Sequence, residues 1–176
     1  LIGGAFSMAA GEYVSMRAQR ELLERELDVE RRAIHSEPAA ERRELARLYE
    51  SRGVEPELAH ELAERMMENP EVALEIHARE ELGVDPGELG NPLQTAISSF
   101  LTFAVGAVLP LLPWLFSGGT GTLVASVAVA AVASLVVGGV LSIFTGRSWA
   151  WAAVRQLLIS GAAAGVTYSI GVVIGA

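Results

Sequence analysis

Two patterns alternate along the chain. Leu1–Met16 is apolar apart from Glu12, Arg17–Glu88 is crowded with charge, and from Leu89 to Gly146 no charged residue appears in 58 positions. A bilayer core about 30 Å thick needs roughly 20 apolar residues at helical rise. Leu93–Phe116 has 24 uncharged residues, enough for one crossing. Ser117–Gly146 holds a second, opened by the turn-like Ser117-Gly118-Gly119-Thr120-Gly121, and Gln156–Ala176 a third, approached through Ser148–Val154. Leu1–Met16 is only 16 residues long and lacks an initiator methionine. It reads as the end of a crossing whose start is missing; with no basic segment ahead of it, a secretory signal fits poorly. The expected organisation is an all-α polytopic membrane helix bundle. Its spans are residues 1–17, 91–116, 120–145 and 151–176, with an acidic helical domain, 18–90, inserted after the first.

Within the insert the punctuation is helical throughout. Arg17–His35 has no breaker and continues the first span as one long helix. Ser36 and Pro38 fit the N-cap and first turn of a second helix ending at Gly53. Pro56 starts a third that stops at Asn69-Pro70, and a fourth runs from Glu71 to Leu82 before Gly83. Asp85-Pro86-Gly87 and Gly90-Asn91-Pro92 form a turn-rich link. In the spans, Ser126, Ala130, Ser134, Gly138 and Ser142 put a small residue at every fourth position, as do Gly161/Gly165 and Gly171/Gly175. Such stripes let helix backbones approach closely in lipid.

Charge sharpens the division. The net charge is 13 − 21 = −8, with no lysine and no cysteine. Of the 21 acids, 20 lie between Glu21 and Glu88. Disorder and a disulfide scaffold are both excluded, and the acidic balance excludes a nucleic-acid binder. Arg17, Arg20 and Arg79 flank the insert, and Arg147 and Arg155 lie where the last two spans join. The positive-inside rule therefore puts the insert in the cytoplasm and the C-terminus in a lumen or outside the cell.

Acids on a charged helix are ordinarily a solvated face, so arginine pairing is the test. Glu21, Asp28, Glu61 and Glu75 each have an arginine four residues later and need no further role. Glu30, Glu41 and Glu81 have no such partner; Glu44 finds only Arg47, three residues on. Glu41 has Glu37 behind it, a like charge that destabilises a helix unless a cation offsets it. Carboxylates at helical spacing facing others on a neighbouring helix form an oxygen-rich cage, and a histidine shifts it towards Fe²⁺ or Mn²⁺ over Ca²⁺. Glu57, Glu61, Glu64 and Glu68 with His60 form a rival stripe that spacing does not separate from the first. Met8, Glu12 and Met16 share one helix face, and an ionisable group inside an apolar span marks an ion or proton path. The competing reading for Glu12 is an interfacial side chain snorkelling near Arg17.

These residues resemble a known family. Gly4-Ala5-Phe6-Ser7-Met8-Ala9-Ala10-Gly11-Glu12-Tyr13-Val14-Ser15 is similar to the second transmembrane helix of the vacuolar iron transporters, which carry Fe²⁺ and Mn²⁺. Glu30-Arg31-Arg32, Pro38, Glu41, Glu44 and Arg79-Glu80-Glu81-Leu82-Gly83 resemble their cytoplasmic metal-binding domain, and Leu109-Pro110-Leu111-Leu112-Pro113 resembles the end of their third span. The resemblance implies a homodimer with five spans per subunit, exchanging metal for protons. By position Glu30, Glu41, Glu44 and Glu81 match the family's glutamate ligands, and Met8 matches a methionine of its path. Two positions depart: Ala33 replaces a glutamate, for which Glu37 or Glu26 can substitute, and His77 replaces a methionine while remaining a competent Fe²⁺ or Zn²⁺ ligand.

The expectation is a proton-coupled exporter of Fe²⁺ or Mn²⁺. Glu30, Glu41, Glu44, His77, Glu81 and Glu37 would capture metal, and Met8, Glu12 and Met16 would line the path. No prosthetic group is needed, and no nucleophile-base pair suggests an enzyme. The rival is a membrane-anchored protein whose acidic helices dock a basic partner. A di-iron oxidase needs two Glu-x-x-His pairs, and only Glu57-Leu58-Ala59-His60 fits.

Overall fold

The computed structural model describes residues 1–175; Ala176, at the end of the fourth expected span, lies outside them. The described residues are helical and contain no strand. Helix α1 is Ile2–Ser36, α2 is Pro38–Ser51, α3 is Pro56–Met66 and α4 is Pro70–His77, continued by a π-helical turn over Ala78–Leu82. Next comes α5, Pro92–Val108, with a 3₁₀ extension over Leu109–Leu115; α6 is Thr120–Thr145 and α7 is Trp149–Ile174. Among the described residues, three stretches are long and apolar enough to cross a membrane: Pro92–Leu115, Thr120–Thr145 and Trp149–Ile174. The apolar start of α1 runs without a break into its charged half, forming one helix of 35 residues.

Proline sets the starts of the short helices, where a missing N–H costs nothing. Pro38, Pro56 and Pro70 each open one. The N-cap of α2 differs from expectation: α1 extends through Ser36, so Glu37 takes that place without a side-chain cap bond. Gly83 ends the π turn in the left-handed conformation at φ 66°, and the amides of Gly83 and Val84 both bond the Ala78 carbonyl. The tightening of α5 into 3₁₀ geometry coincides with Pro110 and Pro113.

The chain divides into two units, Ala9–Ser98 and the combination of Leu1–Met8 with Ser99–Ala176. In the first, Leu27 and Ile34 of α1 pack with Ala73, Leu74 and Ala78, while Leu45 and Ala46 of α2 pack with Ala63 of α3. Helix α4 joins both clusters, Leu74 in the first and Ile76 at the edge of the second. In the second unit, α6 packs on α7 and on the 3₁₀ extension. A Cβ added to Gly138 would stand 2.6 Å from the Ala152 carbonyl oxygen, so glycine sets this helix contact. Ser126 at the other end of the stripe donates to the Pro110 carbonyl. The α7 glycines behave differently: an added Cβ at Gly161, Gly165 or Gly171 meets nothing within 4 Å. Phe6 meets Phe100 edge-on, ring centroids 5.1 Å apart.

Candidate metal centre

Because α4 is gripped by both apolar clusters, its last residue is carried inward between α1 and α2. His77 is wholly buried. Its Nδ1 lies 3.1 Å from Glu30 Oε1 of α1, 3.9 Å from Glu41 Oε2 of α2 and 3.0 Å from Glu81 Oε1 of the π turn. One ligand atom from each of Glu30, Glu41 and His77 falls within a mutual 4.8 Å. Ligands about 2.1 Å from a shared cation sit roughly 3 to 4 Å from one another, so the separations around Nδ1 suit a divalent ion after small adjustments. Glu44 is exposed on α2 and lines an open cleft of about 510 Å³ with Arg47, Leu48 and Glu81.

The electrostatics are those of crowded carboxylates. Burial first, and then the charge of Glu30, push Glu41 above the ordinary carboxylate range. Burial raises Glu81 likewise, against the pull of His77. Burial alone would lower His77, but the adjoining carboxylates of Glu30 and Glu81 outweigh that and raise it. A raised carboxyl and a raised imidazole hold protons to higher pH than the free side chains, and metal competes with protons for the same atoms. Glu30 Oε1 and His77 Nε2 are buried without a hydrogen-bond partner among the described residues. Glu30 Oε1 faces His77 Nδ1 as an ion pair at 3.1 Å. Unsatisfied polar atoms of this kind are costly in a folded chain and call for an explanation.

The other candidate residues are placed elsewhere. Glu37 is exposed at the α1–α2 junction, its backbone carbonyl accepting from the amides of Ala40 and Glu41. Met8 and Glu12 are exposed on α1, and Met16 is half-buried against Gly90, where an added Cβ would stand 2.5 Å from the Met16 sulfur. In the rival stripe, Glu61 pairs with Arg65 and Glu64 with Arg42, and exposed His60 bonds the Pro56 carbonyl. Two expected pairings change: Arg17 takes Glu21, and Arg31 rather than Arg32 takes Asp28, at a spacing of three. One device escapes sequence reading. Tyr49 donates to Glu80 Oε1 and Arg52 pairs with Glu80 across 28 residues, which ties the end of α2 to the turn that carries Glu81. No helical spacing points to such a pair.

The model of the VIT family matches residues 1–172. The chain belongs to the VIT family. Its relatives include a vacuolar iron transporter of Acanthamoeba castellanii, 39% identical over 112 residues that cover 64% of this chain and 42% of that protein. Vacuolar iron transporter 1 of Oryza sativa subsp. japonica is 29% identical over 95% of this chain and 67% of its own length. Its Arabidopsis thaliana counterpart is 29% identical over 81% of this chain and 58% of its own length. This VIT-family chain thus spans about two fifths to two thirds of the lengths of these relatives. Its helical architecture and three membrane-length helices agree with a membrane bundle.

Proposed function

We propose that this VIT-family protein exports divalent metal, Fe²⁺ or Mn²⁺, from the cytoplasm in exchange for protons. The relatives' names as vacuolar iron transporters support iron transport, and the three membrane-length helices support a membrane setting. The observation that carries the reading is the convergence of His77 Nδ1 with the carboxylates of Glu30, Glu41 and Glu81, none of which pairs with an arginine among the described residues. Glu44 stands at the adjoining cleft as the outermost carboxylate. Metal enters as transported substrate, and each ligand must shed its proton to bind. Competition between metal and protons for the same ligand atoms therefore couples capture to proton release.

Onward passage uses α1. Glu12 is the one acid outside the charged stretch, and a carboxylate in an apolar segment alternates between a proton and a cation as its charge requires. Met8 and Met16 flank it one turn away on either side. From Glu12 to Glu30 is 18 residues along this helix, about 27 Å at helical rise, so capture and passage are separate stations. The acidic unit is cytoplasmic by arginine placement and the C-terminus lies on the far side; two copies form the working dimer. Docking of a basic partner is the weaker reading, because Glu21, Glu24, Asp28, Glu61 and Glu75 already face arginines.

The test is Fe²⁺ flux into proteoliposomes with the full chain and an internal pH dye. Glu30→Gln with Glu41→Gln should lower metal affinity on the order of 100-fold, and Glu12→Gln should stop flux while leaving affinity unchanged. Undiminished flux in both variants would overturn the reading.

A further inference from the structure

The donor chemistry of the cluster carries a further consequence, which rests on the capture reading above. Of the four methionines, Met66 meets the Tyr49 hydroxyl and Met67 packs against the Leu27–Leu74 cluster. Met8 and Met16 precede Glu30 by 22 and 14 residues on α1. The acids that stand 3.0 to 3.9 Å from His77 Nδ1 offer only carboxylate oxygens, so the imidazole nitrogen is the softest donor of that set.

Which nitrogen is also decided by the fold. Nδ1 faces Glu30, Glu41 and Glu81 at 3.0 to 3.9 Å. Nε2 is buried without a hydrogen-bond partner among the described residues. The ring is wholly buried as the last residue of a helix held by two apolar clusters.

We infer that His77 is the specificity-determining residue of the capture site, binding metal through Nδ1 and selecting imidazole-seeking divalent ions such as Fe²⁺, Co²⁺ and Zn²⁺ over Mn²⁺, Mg²⁺ and Ca²⁺. The physical ground is that carboxylates discriminate poorly among divalent ions of similar size. A nitrogen donor adds affinity that rises from Mn²⁺ through Fe²⁺ and Co²⁺ and offers little to Mg²⁺ or Ca²⁺. A purely structural imidazole, buried as a counter-ion for Glu30 and Glu81, would support the site without ranking its ions. The two roles make different predictions.

The experiment uses the full chain in lipid nanodiscs, with Co²⁺, Mn²⁺ and Ca²⁺ as probes in competition calorimetry. Wild type should prefer Co²⁺ over Mn²⁺ on the order of 100-fold and bind Ca²⁺ more weakly still. His77→Asn places an amide near the position of Nδ1. It should cost Co²⁺ about tenfold or more while moving Mn²⁺ by no more than about threefold. Equal losses for both ions, or an unchanged ratio, would overturn the assignment by showing a structural imidazole. Absence of binding of every probe to wild type would sink the capture reading itself, an outcome distinct from lost selectivity. Should His77→Asn lose its helicity, nitrogen NMR of isotope-labelled histidine in the wild-type chain decides. Zn²⁺ should move the Nδ1 resonance of His77 as a directly bonded nitrogen, and bonding at Nε2 or at neither nitrogen refutes the proposal.

Discussion

Ala9–Ser98 keeps large apolar side chains such as Leu27, Ile34, Leu45 and Leu74 inside and most of its acids outside. Leu1–Met8 with Ser99–Ala176 contains no acid at all and turns Phe116, Phe144 and Val173 outward, each more than four-fifths exposed. Both are built from helices, and the difference lies in the solvent each is suited to. In water, burying apolar area supplies the drive to fold. In lipid that drive between helices disappears and close backbone contact takes its place, which accounts for glycine at the α6–α7 contact where the acidic unit uses leucine. Against that background a buried polar side chain carries more information in the acidic unit than an exposed apolar one does in the other.

If the two units are held by different forces, their most damaging substitutions should differ in kind. Leu45 is fully buried, so Leu45→Ala should cost about 2–5 kcal/mol, read by denaturant unfolding of the full chain in nanodiscs. The loss should fall on the transition of the acidic unit alone. The counterpart is Gly138→Val, which drives a side chain into the Ala152 carbonyl and the Ala153 Cα. It should cost about 1–3 kcal/mol by loosening α6 from α7, whereas Gly161→Ala, with open space around it, should stay within about 0.5 kcal/mol. Equal sensitivity at Gly138 and Gly161 would break the contrast.

How far the sequence reveals this arrangement depends on the range of the interaction. Pro38, Pro56, Pro70 and Gly83 mark helix limits because their effects act within a turn, and the 58 uncharged residues mark the membrane half by length alone. Glu30, Glu41 and Glu81 stand out for the same local reason, lacking an arginine at helical spacing. The burial of His77 is not local. It follows from Leu74 and Ile76 reaching two different clusters, which no spacing within α4 announces. The Arg42–Glu64 and Arg52–Glu80 pairs bridge 22 and 28 residues and are equally invisible. Even short-range pairing has alternatives: Asp28 reaches Arg31, one residue short of the expected Arg32. Resemblance to a family supplied the candidate ligands, and tertiary packing supplied the geometry around Nδ1.

Protons give a smaller and more diagnostic effect. Glu41 and Glu81 are raised above 4.5, and His77 above 6.5, in the folded chain. A raised folded value means that the native state binds more protons than the unfolded one. The stabilising contribution is complete below the unfolded value and is lost as pH rises through the folded value. The metal-free acidic unit should therefore gain stability from these groups on mild acidification. Stabilisation by added Co²⁺ should shrink over the same change, because protons compete for the ligands. Thermal melts of the full chain, with and without Co²⁺ at mildly alkaline and mildly acidic pH, would show the two trends crossing. The second unit, with no titrating acid, should show neither trend.

The smallest effect separates paired from unpaired acids within one unit. Glu61 is exposed and held 2.7 Å from Arg65, and an exposed pair of this kind contributes little because water already solvates both ions. Glu61→Gln should therefore shift stability by less than about 0.5 kcal/mol and leave Co²⁺ affinity unchanged. Glu81→Gln keeps the side-chain shape but removes a charge 3.0 Å from His77 Nδ1, and it should lower Co²⁺ affinity about tenfold. Both residues are glutamates on helical turns of the acidic unit, so net charge falls equally in the two variants. Similar losses of affinity would mean that metal responds only to the overall negative field. A loss confined to Glu81→Gln requires a local contact, and only the carboxylates gathered around His77 offer one.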